Sequence, residues 1–243
     1  MPEILLYHGS PCTLEEPACG FDNCHNDFGA GLYCTASEEL AGEWAVNEGR
    51  DGCINRYTLD TEGLKVLDLA ESRYSLLHWI TLLFTCRQEE CEEKKPGSAE
   101  DKRAKSWISR NTEWLKANFS LPADEYDIIK GYRADDNYFL IAEDFLRNYL
   151  PLQGLVSALH LSDCGEQIVL KSEKAFSRII FIGTKTALHK EFFVRRENRN
   201  AIAFSRYGKI IEEFVNVYHD DEIRLNQIVA GKVSLDDPRL WIN

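Results

Sequence analysis

Four short stretches of this chain combine residue types that can do chemistry. Leu5-Leu6-Tyr7 reads as a strand and runs straight into His8-Gly9-Ser10, an imidazole, a residue without a side chain and a hydroxyl, at what would otherwise be an ordinary turn. Gly29 and Gly31 flank the approach to Tyr33, and Trp44 follows eleven residues after that tyrosine. Glu166 opens the apolar run Glu166-Gln167-Ile168-Val169-Leu170. Aromatic faces suit a flat ring, and a preorganised carboxylate suits positive charge that develops in a reaction. Taken singly, each residue also has a plain structural use, as a turn histidine, a core aromatic or an exposed strand-start glutamate. Asp135 and Asp136 either cap the helix that follows them or meet a ribose or acceptor at the site. Cys12, Cys19, Cys24 and His25 fall close together, but no Cys-x-x-Cys spacing occurs, so no metal is expected.

These residues need elements to position them. Residues 3 to 8 read as a first strand, and the loop ending at Gly29-Ala-Gly31 leads into a second. Residues 37 to 49 read as a helix with Ser37 as N-cap, Glu38 and Glu39 in the first turn, Leu40, Ala41 and Trp44 on one face, and Gly49 as the stop. Residues 54 to 69 read as two strands around a turn at Asp60 to Gly63. Two helical segments, joined by a charged loop at 89 to 102, form an insertion at about 72–120. A strand at 125 to 136, helices at 137 to 150 and 152 to 161, and strands at 166 to 172 and 178 to 183 follow. Beyond Gly183 the pattern reads as helical, best at 185–199 and 219–230. Strands and helices do not alternate regularly, which favours an α+β fold.

At 243 residues and 44% hydrophobic content the chain can bury a substantial core. A net charge of -12 opposes a phosphate backbone and disfavours nucleic acid as a partner, although a local basic patch leaves room for it. Seven Lys and Arg against two Glu between Lys185 and Lys209 read as a solvated helical face rather than an acceptor-binding patch. The N-terminus lacks a basic flank and a long apolar run, so no signal peptide is expected, and no segment approaches a membrane span. The eight cysteines are accordingly read as thiols of a cytoplasmic protein.

The order His8-Gly9-Ser10, Gly29-x-Gly31-Leu-Tyr33, Glu166 resembles the His-Tyr-Glu class of ADP-ribosyltransferases. With the segments Gly131-Tyr-Arg-Ala-Asp-Asp136 and Gly165-Glu-Gln-Ile-Val-Leu170, the chain is most similar to the bacterial domain-of-unknown-function family 3990, an offshoot of that superfamily. The likeness covers residues 3 to 182. It implies split antiparallel sheets in an ADP-ribosyltransferase-like domain at 1–183, carrying the helical insertion, with a mainly helical extension at 184–243 packed on it. It implies NAD as substrate, without a metal, and mono-ADP-ribosyl transfer to an unidentified macromolecular acceptor. A toxin-like role, with an unknown antitoxin-like inhibitor as partner, is a further implication. NAD glycohydrolase activity and a non-catalytic NAD or ADP-ribose binding module on the same fold are the alternatives.

On this resemblance each residue has a role. Tyr33 and Trp44 cover the two faces of the nicotinamide ring, which is cationic while joined to ribose. Gly9 lets its backbone reach the carboxamide, Ser10 lies beside it, and His8 hydrogen-bonds the adenosine ribose. Glu166 is the catalytic residue, holding the ribose 2′-hydroxyl and stabilising oxocarbenium character. Gln167 lacks the charge and, in a strand, faces the other way. The family's helix hydroxyl falls at Ala41, which leaves Thr35 and Ser37 as the nearby hydroxyls. Cys164 stands where arginine-modifying relatives carry an acid or amide, so arginine modification is not indicated.

Overall fold

The computed structural model describes residues 3–20, 26–87, 99–134, 136–160, 165–215 and 221–241. The chain begins with β1 (Glu3–Ser10), then β2 (Leu32–Cys34), α1 (Glu38–Ala45), β3 (Gly52–Asp60) and β4 (Val66–Asp68). Two insertion helices follow, α2 (Leu76–Cys86) and α3 (Ala99–Phe119), before β5 (Ile128–Tyr132), α4 (Asp136–Leu146), α5 (Leu152–His160) and β6 (Glu166–Leu170). The chain continues through α6 (Glu173–Phe176), β7 (Ile179–Ala187), α7 (His189–Phe214) and α8 (Leu225–Val229).

The fold is α+β with two sheets. The first has the order β1-β3-β7 and is antiparallel throughout; the second has the order β2-β6-β5-β4. The expectation of purely antiparallel sheets fails at one place, because β4 pairs parallel with β5. The two strands flanking the Asp60 to Gly63 turn therefore do not pair with each other. Between β4 and β5 lies the whole helical insertion, and a parallel pair needs a long crossover of that kind.

Three packed cores hold the layers. Helices α2 to α5 cover one face of the second sheet, where Trp79, Ile80, Leu83 and Phe145 pack with Ile129 and Val169. Leu6 and Leu59 of the first sheet meet Leu32, Cys34, Ile168 and Leu170 of the second. Ala41 and Ala45 of α1 close on Ile54 and Ala187 at the far face of the first sheet. The caps follow local chemistry. Ser37 Oγ accepts from Leu40 N–H at 3.2 Å to start α1, and His78 Nδ1 accepts from Ser75 N–H at 2.9 Å at the start of α2.

The C-terminal part differs from the expectation. β7 does not stop at Gly183 but runs to Ala187, and the helix begins at His189. Gly183 has φ 142°, and the β3–β7 register shifts between Arg56 and Tyr57. This bulge lets the strand continue with Thr184 to Thr186 opposite Asn55 to Cys53. A domain boundary at 183/184 would cut a strand of the first sheet. The basic stretch is not simply a solvated face either, because it forms an ion-pair seam with the acidic helix α1. Lys185 meets Glu38 at 2.6 Å, Arg195 meets Glu39 at 3.2 Å, and Arg199 meets the buried Glu43 at 2.9 Å. Cys12, Cys19, Cys34, Cys53 and Cys86 are free thiols, while Cys24, His25, Cys91 and Cys164 lie outside the described residues. Among the described residues no helix is long and apolar enough to cross a membrane, and no cluster of three or more His, Cys, Asp or Glu could hold a metal.

Candidate functional site

Among the described residues one backbone bridge joins the two sheets. Tyr7 N–H donates to Thr35 C=O and Thr35 N–H to Tyr7 C=O, each at 2.9 Å. In an antiparallel ladder the next such pair would be Gly9 with Tyr33, two residues along. That pair does not form, because the Tyr33 carbonyl instead accepts from His8 Nδ1 at 2.7 Å. The strands part here. Strand alternation still aims the Gly9 N–H and C=O at the same edge as those of Tyr7, toward the opening. Since a carbonyl can only accept, a proton sits on His8 Nδ1.

The opening is a cavity of about 790 Å³ lined by His8, Gly9, Ser10, Tyr33 and Trp44 and by residues from four other parts of the chain. One wall is the loop after β1, whose Cys12 and Leu14 are held by Asn55. Asn55 Nδ2 donates to Ser10 Oγ at 2.8 Å and to Cys12 C=O at 3.3 Å, and Oδ1 accepts from Leu14 N–H at 2.9 Å. Tyr33 is pinned by its hydroxyl, which accepts from Phe28 N–H at 2.9 Å and donates to Gly29 C=O at 2.6 Å.

The floor is a polar cluster centred on Asp27, a residue the sequence did not single out. Asp27 Oδ2 accepts from Ala134 N–H at 2.8 Å and from Gln167 Nε2 at 3.0 Å, and Arg87 Nη1 donates to Oδ1 at 3.2 Å. Burial pushes the Asp27 carboxyl above the usual carboxylate range, against the pull of the Ala134 N–H and the Arg87 charge. The Arg133 guanidinium lies 4.7 Å over the Trp44 ring, so one face of that indole is already covered by a cation. Trp44 Nε1 is buried with no hydrogen-bond partner among the described residues.

The remaining expected residues fall elsewhere. Glu166 does not line the cavity. β6 pairs with β2 in the register Tyr33 to Val169, which puts Gln167 on the face of Tyr33 and Glu166 on the opposite one. Glu166 is exposed and meets Lys130 Nζ at 3.3 Å, a lysine also bound by Asp68 at 2.8 Å. Burial alone would lower the Lys130 amine, but the Asp68 hydrogen bond and the Glu166 charge together raise it. Thr35 and Ser37 are spent on the entry to α1. Thr35 Oγ1 accepts from Ser37 N–H at 3.2 Å, and Ser37 is the N-cap. Asp135 lies outside the described residues, and Asp136 opens α4 with its side chain outside them as well.

Gly9 has a second, purely steric use. A Cβ there would stand 2.0 Å from the Ala41 carbonyl oxygen, so β1 and α1 touch backbone to backbone. Arg133 lay in a segment already singled out, and Asn55 could have been suspected as an amide within an apolar alternation. Asp27 and Arg87 carried no sequence signal, because their meaning depends on which distant strands they join.

An α+β chain of two sheets that part over a polar-floored cavity is thus what fold and geometry define. The chain belongs to the family described as protein of unknown function (DUF3990), whose family model matches residues 4–181. No curated protein and no solved structure matches it.

Proposed function

We propose that this chain binds NAD where β1 and β2 part and is an NAD-dependent mono-ADP-ribosyltransferase acting on an unidentified acceptor. The observation that carries the reading is the failed Gly9–Tyr33 pair. It turns one backbone donor and one acceptor toward a cavity that also holds the Tyr33 ring and the His8 imidazole. A carboxamide on an aromatic ring is complementary to that set. In this reading the nicotinamide lies on Tyr33 with its amide against Gly9, and the His8 imidazole lies beside a ribose hydroxyl. Glu166, next to Gln167 on β6, supplies the charge-stabilising carboxylate after leaving Lys130. NAD hydrolysis by water uses the same residues.

A second reading is favoured by the position of Glu166 on the face away from Tyr33: a module that binds NAD or ADP-ribose without cleaving it. Calorimetric titration with NAD, together with nicotinamide release with and without cell lysate, separates the readings. The transferase reading expects release that needs lysate and falls about 10² to 10³-fold in Glu166→Gln, with NAD affinity little changed. Binding without any release supports the module, and no NAD binding at all refutes both.

A further inference from the structure

We propose that Gln167 reads the amide of the nicotinamide group and restricts the site to the amide form of the dinucleotide; this rests on the NAD reading above. The register makes Gln167 the diagonal neighbour of Tyr33 on the same sheet face, because Val169 is the partner of Tyr33 and Gln167 stands two residues before it. A long polar side chain at that position reaches a group lying on the phenol ring.

The orientation of the Gln167 amide is dictated by its surroundings. Nε2 donates to Asp27 Oδ2 at 3.0 Å and to Tyr132 C=O at 3.2 Å. A backbone carbonyl and a carboxylate only accept, so the nitrogen must face them and Oε1 must turn away. Asp27 is itself fixed by Ala134 N–H and Arg87, so a flip would break both hydrogen bonds of an anchored amide. Gln167 is 2% exposed and lines the cavity, and no donor among the described residues reaches its Oε1. An acceptor turned away from its own anchors at the cavity lining gains a hydrogen bond from a ligand donor and none from a ligand acceptor.

What fits is an N–H or O–H group; an anion or a bare carbonyl is repelled. With the nicotinamide on Tyr33, its carbonyl accepts from Gly9 N–H and one amide hydrogen goes to Gly9 C=O. The other hydrogen goes to Gln167 Oε1. This contact stands in for the hydroxyl missing at Ala41, which is fully buried against the first sheet. Replacing the amide by a carboxylate puts an anion against Oε1 and the Gly9 carbonyl. Replacing it by a methyl ketone keeps the carbonyl contact and removes both donors.

The test measures dissociation constants for NAD, nicotinic acid adenine dinucleotide and 3-acetylpyridine adenine dinucleotide on the full chain and on Gln167→Leu. The parent is expected to bind NAD about tenfold or more tighter than either analogue. In Gln167→Leu the preference for NAD over the methyl ketone is expected to shrink by about fivefold. Equal binding of amide and acid by the parent overturns the assignment, even where Gln167→Leu does not fold. So does an unchanged preference in a folded Gln167→Leu. Failure of all three dinucleotides to bind the parent refutes the NAD reading itself, which separates that outcome from a failure of the Gln167 role alone.

Discussion

Gly9→Ala puts the packing of the site to a direct test. An added Cβ would stand 2.0 Å from Ala41 O, 2.7 Å from Ala45 N and 3.0 Å from Ala41 C, all backbone atoms that no rotamer change can move. Restoring ordinary contact requires α1 to retreat by about 1.5 Å. Its other side is blocked. The Phe192 ring of α7 lies 2.3 Å from where a Cβ on Gly42 would be, Arg199 grips Glu43 at 2.9 Å, and Arg196 donates to the Val46 carbonyl at 2.8 Å. The cost of overpacking should therefore lie near the upper part of its usual span, about 3 kcal/mol. For a chain of this size that corresponds to a fall of about 6–12 °C in melting temperature. Gly208→Ala is the control, since Gly208 sits within α7 with nothing near its would-be Cβ and should gain up to about 1 kcal/mol. Thermal melts followed by circular dichroism read both. A Gly9→Ala protein melting within about 2 °C of the parent would refute the backbone-to-backbone contact.

Three further outcomes are expected. Arg199→Ala strands the nearly buried Glu43 carboxylate and should cost about 3 kcal/mol by denaturant titration, with part of the loss recovered when Glu43→Leu is added. Burial lowers the His78 pKa below its ordinary 6.5, so the unfolded chain takes the proton first. Stability present above pH 6.5 should then be lost as pH falls through the lower folded-state value, and melts of His78→Gln against the parent should show a flatter slope in that window. Burial also pushes the Cys34 thiol strongly upward while Cys12 and Cys19 are exposed. Mass-mapped iodoacetamide labelling of the native protein should therefore modify Cys12 and Cys19 well before Cys34.

Local patterns carried much of the architecture. Helix α1 ends at Ala45, short of the expected stop at Gly49, and buries Ala41, Glu43 and Ala45 while Trp44 stays half-buried. Its N-cap at Ser37 and its acidic first turn, however, are properties of a few neighbouring residues and appear as read. The same holds for the strands at β1, β3, β5 and β6 and for the insertion helices, where side-chain period and turn residues act within one segment. The likeness to the family of unknown function was also legible, and its family model matches residues 4–181. What no local pattern could decide was pairing. Whether Glu166 or Gln167 shares a face with Tyr33 turns on a single step of register between β2 and β6, and one residue of slip reverses every side chain. The partners of Asp27 come from the residue that caps the end of α2, the segment after β5, and β6, positions up to 140 residues away. β7 outran Gly183 because β3 was there to pair with it across a bulge. The basic run of α7 became a seam only when folding brought it against the acids of α1. Sequence periodicity acts along one segment, whereas register, burial and charge pairing are set between segments, and those set the lining of the cavity.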